Sequence, residues 1–344
     1  MADHARFDIR YTCEFVYDDL VRESQNELRV CPLTDEHQHL VSYRVQTTPA
    51  SRVFSYADWW GTRVDAFGIR EPHLVLDVVA EATVETFARP LLTADPRDDA
   101  LADPAFRDRH AEYLERTPHA NWGSGVTAEA ARQAGVAGTG VVSKVLAIHR
   151  YVSSNVSYVP GSTYVGVDVD DVFDRREGVC QDFAHLAIAM CRSVGIPARY
   201  VSGYLFTVDD ATGEVGDDEV ATVQTHAWFE ASVPGVGWVA LDPTNGKEVG
   251  TRHVTIGRGR DYDDVPPLQG VFAGTAVHQL DVAVEIRRIG APPAPLPRPT
   301  VTPRRSGGST PPPAREDRGH LQHQPLDHHQ QQAQQQQQQR PPER

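Results

Sequence analysis

The sequence predicts an α+β protein: an N-terminal antiparallel β domain, then a domain in which a nucleophile at a helix N-terminus packs on an antiparallel sheet, then a disordered C-terminal tail. Three observations predict it. Short alternating runs separated by turn residues fill the first part of the chain. A helix with an apolar stripe opens at Cys180 and is followed by two alternating runs that carry His226 and Asp242. After Gly290 the composition turns to proline and glutamine. The expected division is a β-rich domain at 1–90, a helical or irregular connection at 91–140, a nucleophile-bearing domain at 141–290 and a tail at 291–344.

In the first part, YTCEFVY at 11–17 and QNELRVCP at 25–32 read as two strands joined by a polar turn. Such a hairpin would set Cys13 facing Cys31, although free thiols are expected in a reducing compartment. Further alternating runs follow at 39–47, around Phe54 and at 72–84. The stretch 88–140 is rich in Asp, Arg, Ala and Pro, with helices expected at 101–116 and 128–134 and a break at Gly123-Ser124-Gly125. A better helix spans 141–156, with Val142, Val145, Leu146, His149 and Val152 on one side, and is expected to pack beside the Cys180 helix.

That second helix is legible from Cys180, Ala184, Ala187, Ile188, Cys191 and Val194, which recur at three- and four-residue intervals until Gly195-Ile196-Pro197 stops it. Cys180 alone sits in the first turn, where backbone N–H groups without helical partners and the helix dipole favour a thiolate. Cys191 lies roughly 16 Å further along the axis, beyond disulfide reach, and reads as a small buried hydrophobe. A lone Cys180 would read the same way. What distinguishes it lies downstream: THAWFE at 225–230 alternates like a strand, and GWVALDPT at 237–244 reads as a second strand after a Pro234-Gly235 turn. Adjacent strands of this kind hold His226 and Asp242 side by side, giving a nucleophile, a base and an orienting carboxylate. Singly, a strand histidine also reads as structural and Asp242 before Pro243 as a turn initiator.

Taken together, GVCQDFAHL, GIPARYVSGY and THAWFEASVPGVGWVALDPTNG resemble the core of the bacterial transglutaminase-like superfamily, whose fold is related to papain. The resemblance covers roughly 141–289 and implies a papain/transglutaminase-like fold with a Cys-His-Asp triad at Cys180, His226 and Asp242. Asp182, Arg199, Gly203, Tyr204 and Trp228 also match family positions and are read first as scaffold. A helical Asp182 points away from Cys180 and suits a contact supporting the loop; Trp228 shares the His226 face; Gly203 suits a strand bend. The N-terminal runs are similar to the β-rich region that accompanies many such domains, departing from it where Trp59-Trp60-Gly61-Thr62 precedes Asp65-Ala66-Phe67-Gly68.

The chemistry implied is attack of a Cys180 thiolate on an amide carbonyl, with the oxyanion met by the Cys180 N–H and a second donor. Tyr158 is a candidate for that second role, and a core or surface tyrosine is its other reading. Hydrolysis of a peptide or isopeptide-type amide, as a cysteine peptidase or amidase, is the expected outcome. A transglutaminase using an amine acceptor is the alternative, and a noncatalytic binding module the second alternative.

The net charge is −14 overall, and the body before the tail carries 26 basic against 43 acidic side chains. That balance disfavours nucleic acid and anionic membrane surfaces and leaves a peptide or protein substrate as the expected partner, with oligomeric state open. The opening MADHAR has no apolar signal core and no run approaches a bilayer's width, so a cytoplasmic location is expected. No CxxC pair or HExxH helix occurs, so neither metal nor cofactor is expected.

Overall fold

The computed structural model describes residues 4–207, 220–223, 225–273 and 278–290. The tail expected to be disordered lies outside the described residues. In chain order the elements are β1 (His4–Val21), β2 (Glu23–Leu28), β3 (Gln38–Thr48), β4 (Phe54–Ala57), β5 (Arg63–Ile69), β6 (His73–Phe87), α1 (Pro104–Arg109), α2 (Ser124–Ala137), α3 (Val141–Asn155), β7 (Ser157–Tyr158), α4 (Val169–Arg175), β8 (Glu177–Gly178), α5 (Cys180–Ser193), β9 (Ala198–Leu205), β10 (Val220–Val223), β11 (Thr225–Val233), β12 (Gly237–Asp242), β13 (Lys247–Glu248), β14 (His253–Gly259), β15 (Leu268–Ala273) and β16 (His278–Ile289). The result is an α+β fold of antiparallel sheets with helices clustered in the middle of the chain.

Two sheets belong mainly to the N-terminal part, in the orders β10-β16-β1-β6-β3 and β15-β2-β5-β4. Strand β1 shows why: Phe7, Ile9, Tyr11, Cys13, Phe15 and Tyr17 are buried at every second position, while Arg6, Asp8, Arg10 and Glu14 occupy the other face. The two N-terminal runs do not form the expected hairpin. β1 pairs with β6 and β16, whereas β2 pairs with β5 and β15, so the chain passes between sheets near Arg22. Cys13 therefore stands opposite Val78 and Val282 rather than facing Cys31, and all four cysteines are free thiols. The last strand closes the fold, since β16 runs back along β1 from Tyr17↔His278 to Arg6↔Ile289.

The third sheet has the order β13-β12-β11-β9-β14, and α5 lies against its β9 and β11 strands. The apolar stripe expected of α5 is only part of its surface: every residue from Cys180 to Arg192 is buried, so the helix is enclosed on all sides. Its end is a Schellman motif, with Gly195 at φ 79°, Ile196 N–H donating to Cys191 O at 3.0 Å and Gly195 N–H to Arg192 O at 3.0 Å. Helix α3 shares the same core through Val145, Ile148 and Val152. The Gly123-Ser124-Gly125 stretch is no break between helices but the start of α2, and the helix expected at 101–116 is confined to Pro104–Arg109 between short 3₁₀ turns. Asp103 explains that start: its side chain caps the Phe106 N–H and Pro104 occupies the first turn. Among the described residues no helix is long and apolar enough to cross a membrane.

Candidate active site

Cys180 is the first residue of α5, after Val179 in an extended conformation. The loop before it is held by Asp182, whose Oδ2 accepts the Val179 N–H at 2.8 Å and the Thr163 hydroxyl at 2.5 Å. A carboxylate at this position also suits the positive end of the helix. Burial raises Asp182 to about 6, against the pull of those two donors. On the other side, β7 lies parallel to β8 with Tyr158 opposite Gly178, which brings Tyr158 beside the residues leading into Cys180. Tyr158 is half exposed, and burial, followed by the Cys180 and Asp182 charges, raises its hydroxyl.

Strand β11 presents His226 and Trp228 on one face while Ala227 and Phe229 join the core around α5. Its partner β12 arrives after a tight turn with Gly235 at φ 73° and Gly237 at φ 97°, in the register Phe229↔Leu241. Asp242 thus ends β12 and meets His226 diagonally, with His226 Nε2 donating to Asp242 Oδ2 at 2.8 Å. Cys180 hydrogen-bonds the same imidazole, and with Nε2 directed at the carboxylate, Nδ1 is the nitrogen left to face the thiol. Burial works against a charged imidazole here, but Asp242 and then Cys180 outweigh it and lift His226 to about 10. Asp242 is wholly buried, yet His226 and His253 hold it far below the usual carboxylate range.

Asp242 makes both the turn contacts and the imidazole contact, on different oxygens. Oδ1 accepts the backbone N–H groups of Thr244 at 3.0 Å and Asn245 at 3.2 Å; Oδ2 accepts His226, the Asn245 side-chain amide at 2.8 Å and His253 Nε2 at 3.1 Å. Pro243 fixes the chain in this turn. The main-chain oxygen of Asp242 in turn accepts His149 Nε2 at 3.0 Å, which ties α3 to the end of β12. Asn245 lies within the third matching block but has no role assigned by it, and His149 and His253 fall in no motif. His149 shows in the sequence only as part of a helix stripe, and His253 stands at the head of an otherwise ordinary strand.

Gly203 is required for close approach rather than for a bend. It pairs in register with His226, and a Cβ there would stand 2.3 Å from the Trp228 ring and 2.3 Å from Val254 O. Trp228 fills that space with no exposure, its centroid 6.1 Å from His226 and 5.3 Å from His253. Arg199 donates to Glu230 Oε2 at 2.7 Å and lies 3.8 Å over the Trp238 ring, and the Tyr204 hydroxyl donates to Val30 O at 3.2 Å.

His226, Asp242 and His253 place ligand atoms within 4.8 Å of one another, a spacing that transition metals accept. The hydrogen bonds argue for another use. The Gly250 N–H donates to His253 Nδ1 at 3.2 Å, so the proton sits on His253 Nε2, the atom a metal would need. A metal-bound histidine would instead donate from its second nitrogen.

The fold is the one shared by transglutaminase-like, cysteine-dependent enzymes. Residues 128–243 match the model of the transglutaminase-like superfamily, and 7–85 match the bacterial transglutaminase-like N-terminal region. An uncharacterized protein of Mycobacterium leprae is 38% identical over 285 residues, covering 83% of this chain and 99% of its own length. A crystal structure from Cytophaga hutchinsonii, described as that of a candidate cysteine protease, superposes with a TM-score of 0.64 at 25% identity, covering 86% of this chain and 94% of the other. A protein-glutamine gamma-glutamyltransferase of Pseudomonas aeruginosa is 32% identical over 152 residues, which are 42% of this chain and 21% of that protein. The chain belongs to the transglutaminase-like superfamily.

Proposed function

We propose that the protein cleaves peptide or isopeptide-type amides as a thiol-dependent peptidase or amidase through a thioester on Cys180. The observation that carries this reading is the placement of His226 between Cys180 and Asp242, bonded to both. His226 takes the thiol proton, and the Cys180 sulfur adds to the amide carbon. The oxyanion is met by the Cys180 N–H at the start of α5, with the half-exposed Tyr158 beside it as the candidate second donor. Collapse of the tetrahedral species breaks the C–N bond while His226 gives its proton to the departing amine. Water, deprotonated by His226, then attacks the thioester and returns Cys180 and the carboxylic acid.

Asp242 keeps the imidazole in the tautomer that presents Nδ1 to sulfur. The two phases of the site, as acid and as base, use one residue whose proton affinity is raised by its neighbours. The acceptor reading that competes with water is an amine, and the partial identity to a glutamyltransferase favours it specifically. We place the enzyme in the cytoplasm, acting on peptide or protein substrates, with catalysis assigned to 141–290 and the N-terminal strands as an accompanying domain.

Incubation with glutamine-containing and lysine-branched peptides, with and without an amine donor, tests the reading by mass spectrometry. Release of an acid product that depends on Cys180 supports hydrolysis. Incorporation of the amine in preference to water would replace it with the transferase, and no thioester or turnover on any peptide would favour a binding module. Limiting iodoacetamide at neutral pH is a check that needs no substrate. Cys180 should be labelled first, because Cys31 and Cys191 are pushed up to about 12 by burial and Cys13 higher still.

A further inference from the structure

We propose that His253 is a positioning residue for the His226–Asp242 pair, and that the N-terminal strands take part in the site by holding His253 in place. The inference rests on the triad reading above and adds to it a third donor and a structural source for that donor.

The three donors on Asp242 Oδ2 differ in origin. His226 comes from β11 and Asn245 from the turn that follows Asp242 itself, whereas His253 reaches across from β14. Its ring is fixed at both ends: Gly250 N–H occupies Nδ1 at 3.2 Å, which leaves Nε2–H directed at the carboxylate at 3.1 Å. Trp228 meets the ring at 5.3 Å and 79° between planes, closing the remaining side. The charged or titratable groups around it are Asp242 from β12, His226 from β11 and Arg89 beyond β6. Burial, aided by the positive charges of His226 and Arg89, outweighs Asp242 and keeps His253 neutral, so it acts as a fixed dipole rather than a second base. A donor in this position limits rotation of the Asp242 carboxylate and holds the lone pair that His226 needs in the imidazole plane.

The segment bearing His253 is gripped on both sides by the N-terminal strands. The Thr86 hydroxyl at the end of β6 donates to Thr251 O at 2.6 Å. Gln38, the first residue of β3, donates from Nε2 to Thr255 O at 2.8 Å and accepts the Thr255 N–H on Oε1 at 2.8 Å; Leu33 N–H adds a bond of 2.9 Å to the same Thr255 oxygen. Gln38 is buried and continues β14's backbone pairing with a side-chain amide, a two-point contact that sets position along the strand as well as distance. His253 lies two residues from each of these anchors. Loss of Gln38 should therefore be felt at Asp242, although the two residues lie far apart in the sequence.

The rate of Cys180 alkylation by iodoacetamide, measured against pH, tests this without any substrate. Wild type, His226→Ala, His253→Ala, His253→Gln and Gln38→Ala are compared, each with its melting temperature. His253→Ala should slow alkylation near neutral pH by about tenfold and displace the pH profile toward that of His226→Ala. His253→Gln restores an N–H at the Nε2 position and should return the profile close to wild type. Gln38→Ala should shift the profile in the same direction by a smaller amount. A profile for His253→Ala that matches wild type while His226→Ala has lost its reactivity would overturn this inference alone, as would a folded His253→Gln no better than His253→Ala. A Gln38→Ala variant with a lower melting temperature but an unmoved profile would overturn the part assigned to the N-terminal strands. Equal reactivity in wild type and His226→Ala would remove the triad reading, and this inference with it.

Discussion

Two buried carboxylates lie on one face of the same sheet, and they are built for opposite ends. Asp242 receives two imidazoles, a side-chain amide and two backbone N–H groups. Glu230, four residues along β11 from His226, receives Arg199 at 2.7 Å and Arg258 at 3.1 Å on Oε2, with Arg89 3.8 Å from Oε1. Both carboxylates are fully buried, and both are held ionised by their partners. The difference lies in the donors. A guanidinium does not release its proton near neutral pH, so the Glu230 cluster can lock strands together and nothing more. An imidazole gives up its proton far more readily than a guanidinium, so the same burial around Asp242 yields a group that can pass one to and from a neighbour. Proton exchange, more than buried charge, separates a candidate reaction centre from a clamp.

That contrast is broken most sharply by exchanging each carboxylate for its amide. Asp242→Asn should lower turnover by roughly 10³–10⁴-fold while the protein stays folded, since the amide keeps shape but permits the wrong tautomer of His226. Glu230→Gln should do the reverse: a loss of roughly 3–5 kcal/mol in denaturant unfolding, from arginines left without a counter-charge, with turnover per folded molecule near wild type. Parallel loss of both quantities in both variants would erase the distinction.

A smaller effect is expected from Gly203→Ala, which crowds Trp228 and Val254 O between the two clusters. It should cost about 1–3 kcal/mol and lower turnover as well, because Trp228 cannot yield without disturbing His226 and His253. Wild-type stability with full activity would mean that the Trp228 packing has slack.

The clusters should also fail at opposite ends of the pH scale. His226 is raised from 6.5 to about 10, so the stability from its pairing with Asp242 is complete below about 6.5 and lost as pH rises through about 10. Glu230 is lowered from 4.5 to about 2, so its contribution is complete above about 4.5 and lost as pH falls through about 2. Urea midpoints across pH should show the alkaline limb flattened in His226→Ala and the acid limb flattened in Glu230→Gln. An unchanged alkaline limb in His226→Ala would contradict the raised proton affinity.

Much of the site is visible in local pattern. The period of α5 places Cys180 in a first turn, and a Pro-Gly turn between two alternating runs sets His226 and Asp242 on neighbouring strands, because helix period, strand period and turn chemistry act over a few residues. The same local logic marks 276–289 as a final strand, from the alternation of Val282, Val284 and Ile286, and the 141–156 stretch as a helix. It fails where the chain changes sheets: β1 and β2 are consecutive and turn-linked, yet they pair elsewhere, since alternation shows that a strand has a buried face without naming its neighbour. Strand β5 is hidden for a different reason, since its burial does not alternate cleanly at Val64-Asp65 and it follows the Trp59-Trp60-Gly61 turn.

What the sequence by itself determined, then, is the identity and local setting of the thiol, the imidazole and the first carboxylate. Only the tertiary structure decided what surrounds them. His253 reaches Asp242 from a strand on the far side of the sheet, Gly203 makes room for Trp228, and Gln38 grips a backbone segment 217 residues away. Such contacts join residues whose spacing along the chain obeys no period. They form because burial leaves each polar atom in need of a partner, and the partner is whichever group the packing of the strands brings within reach.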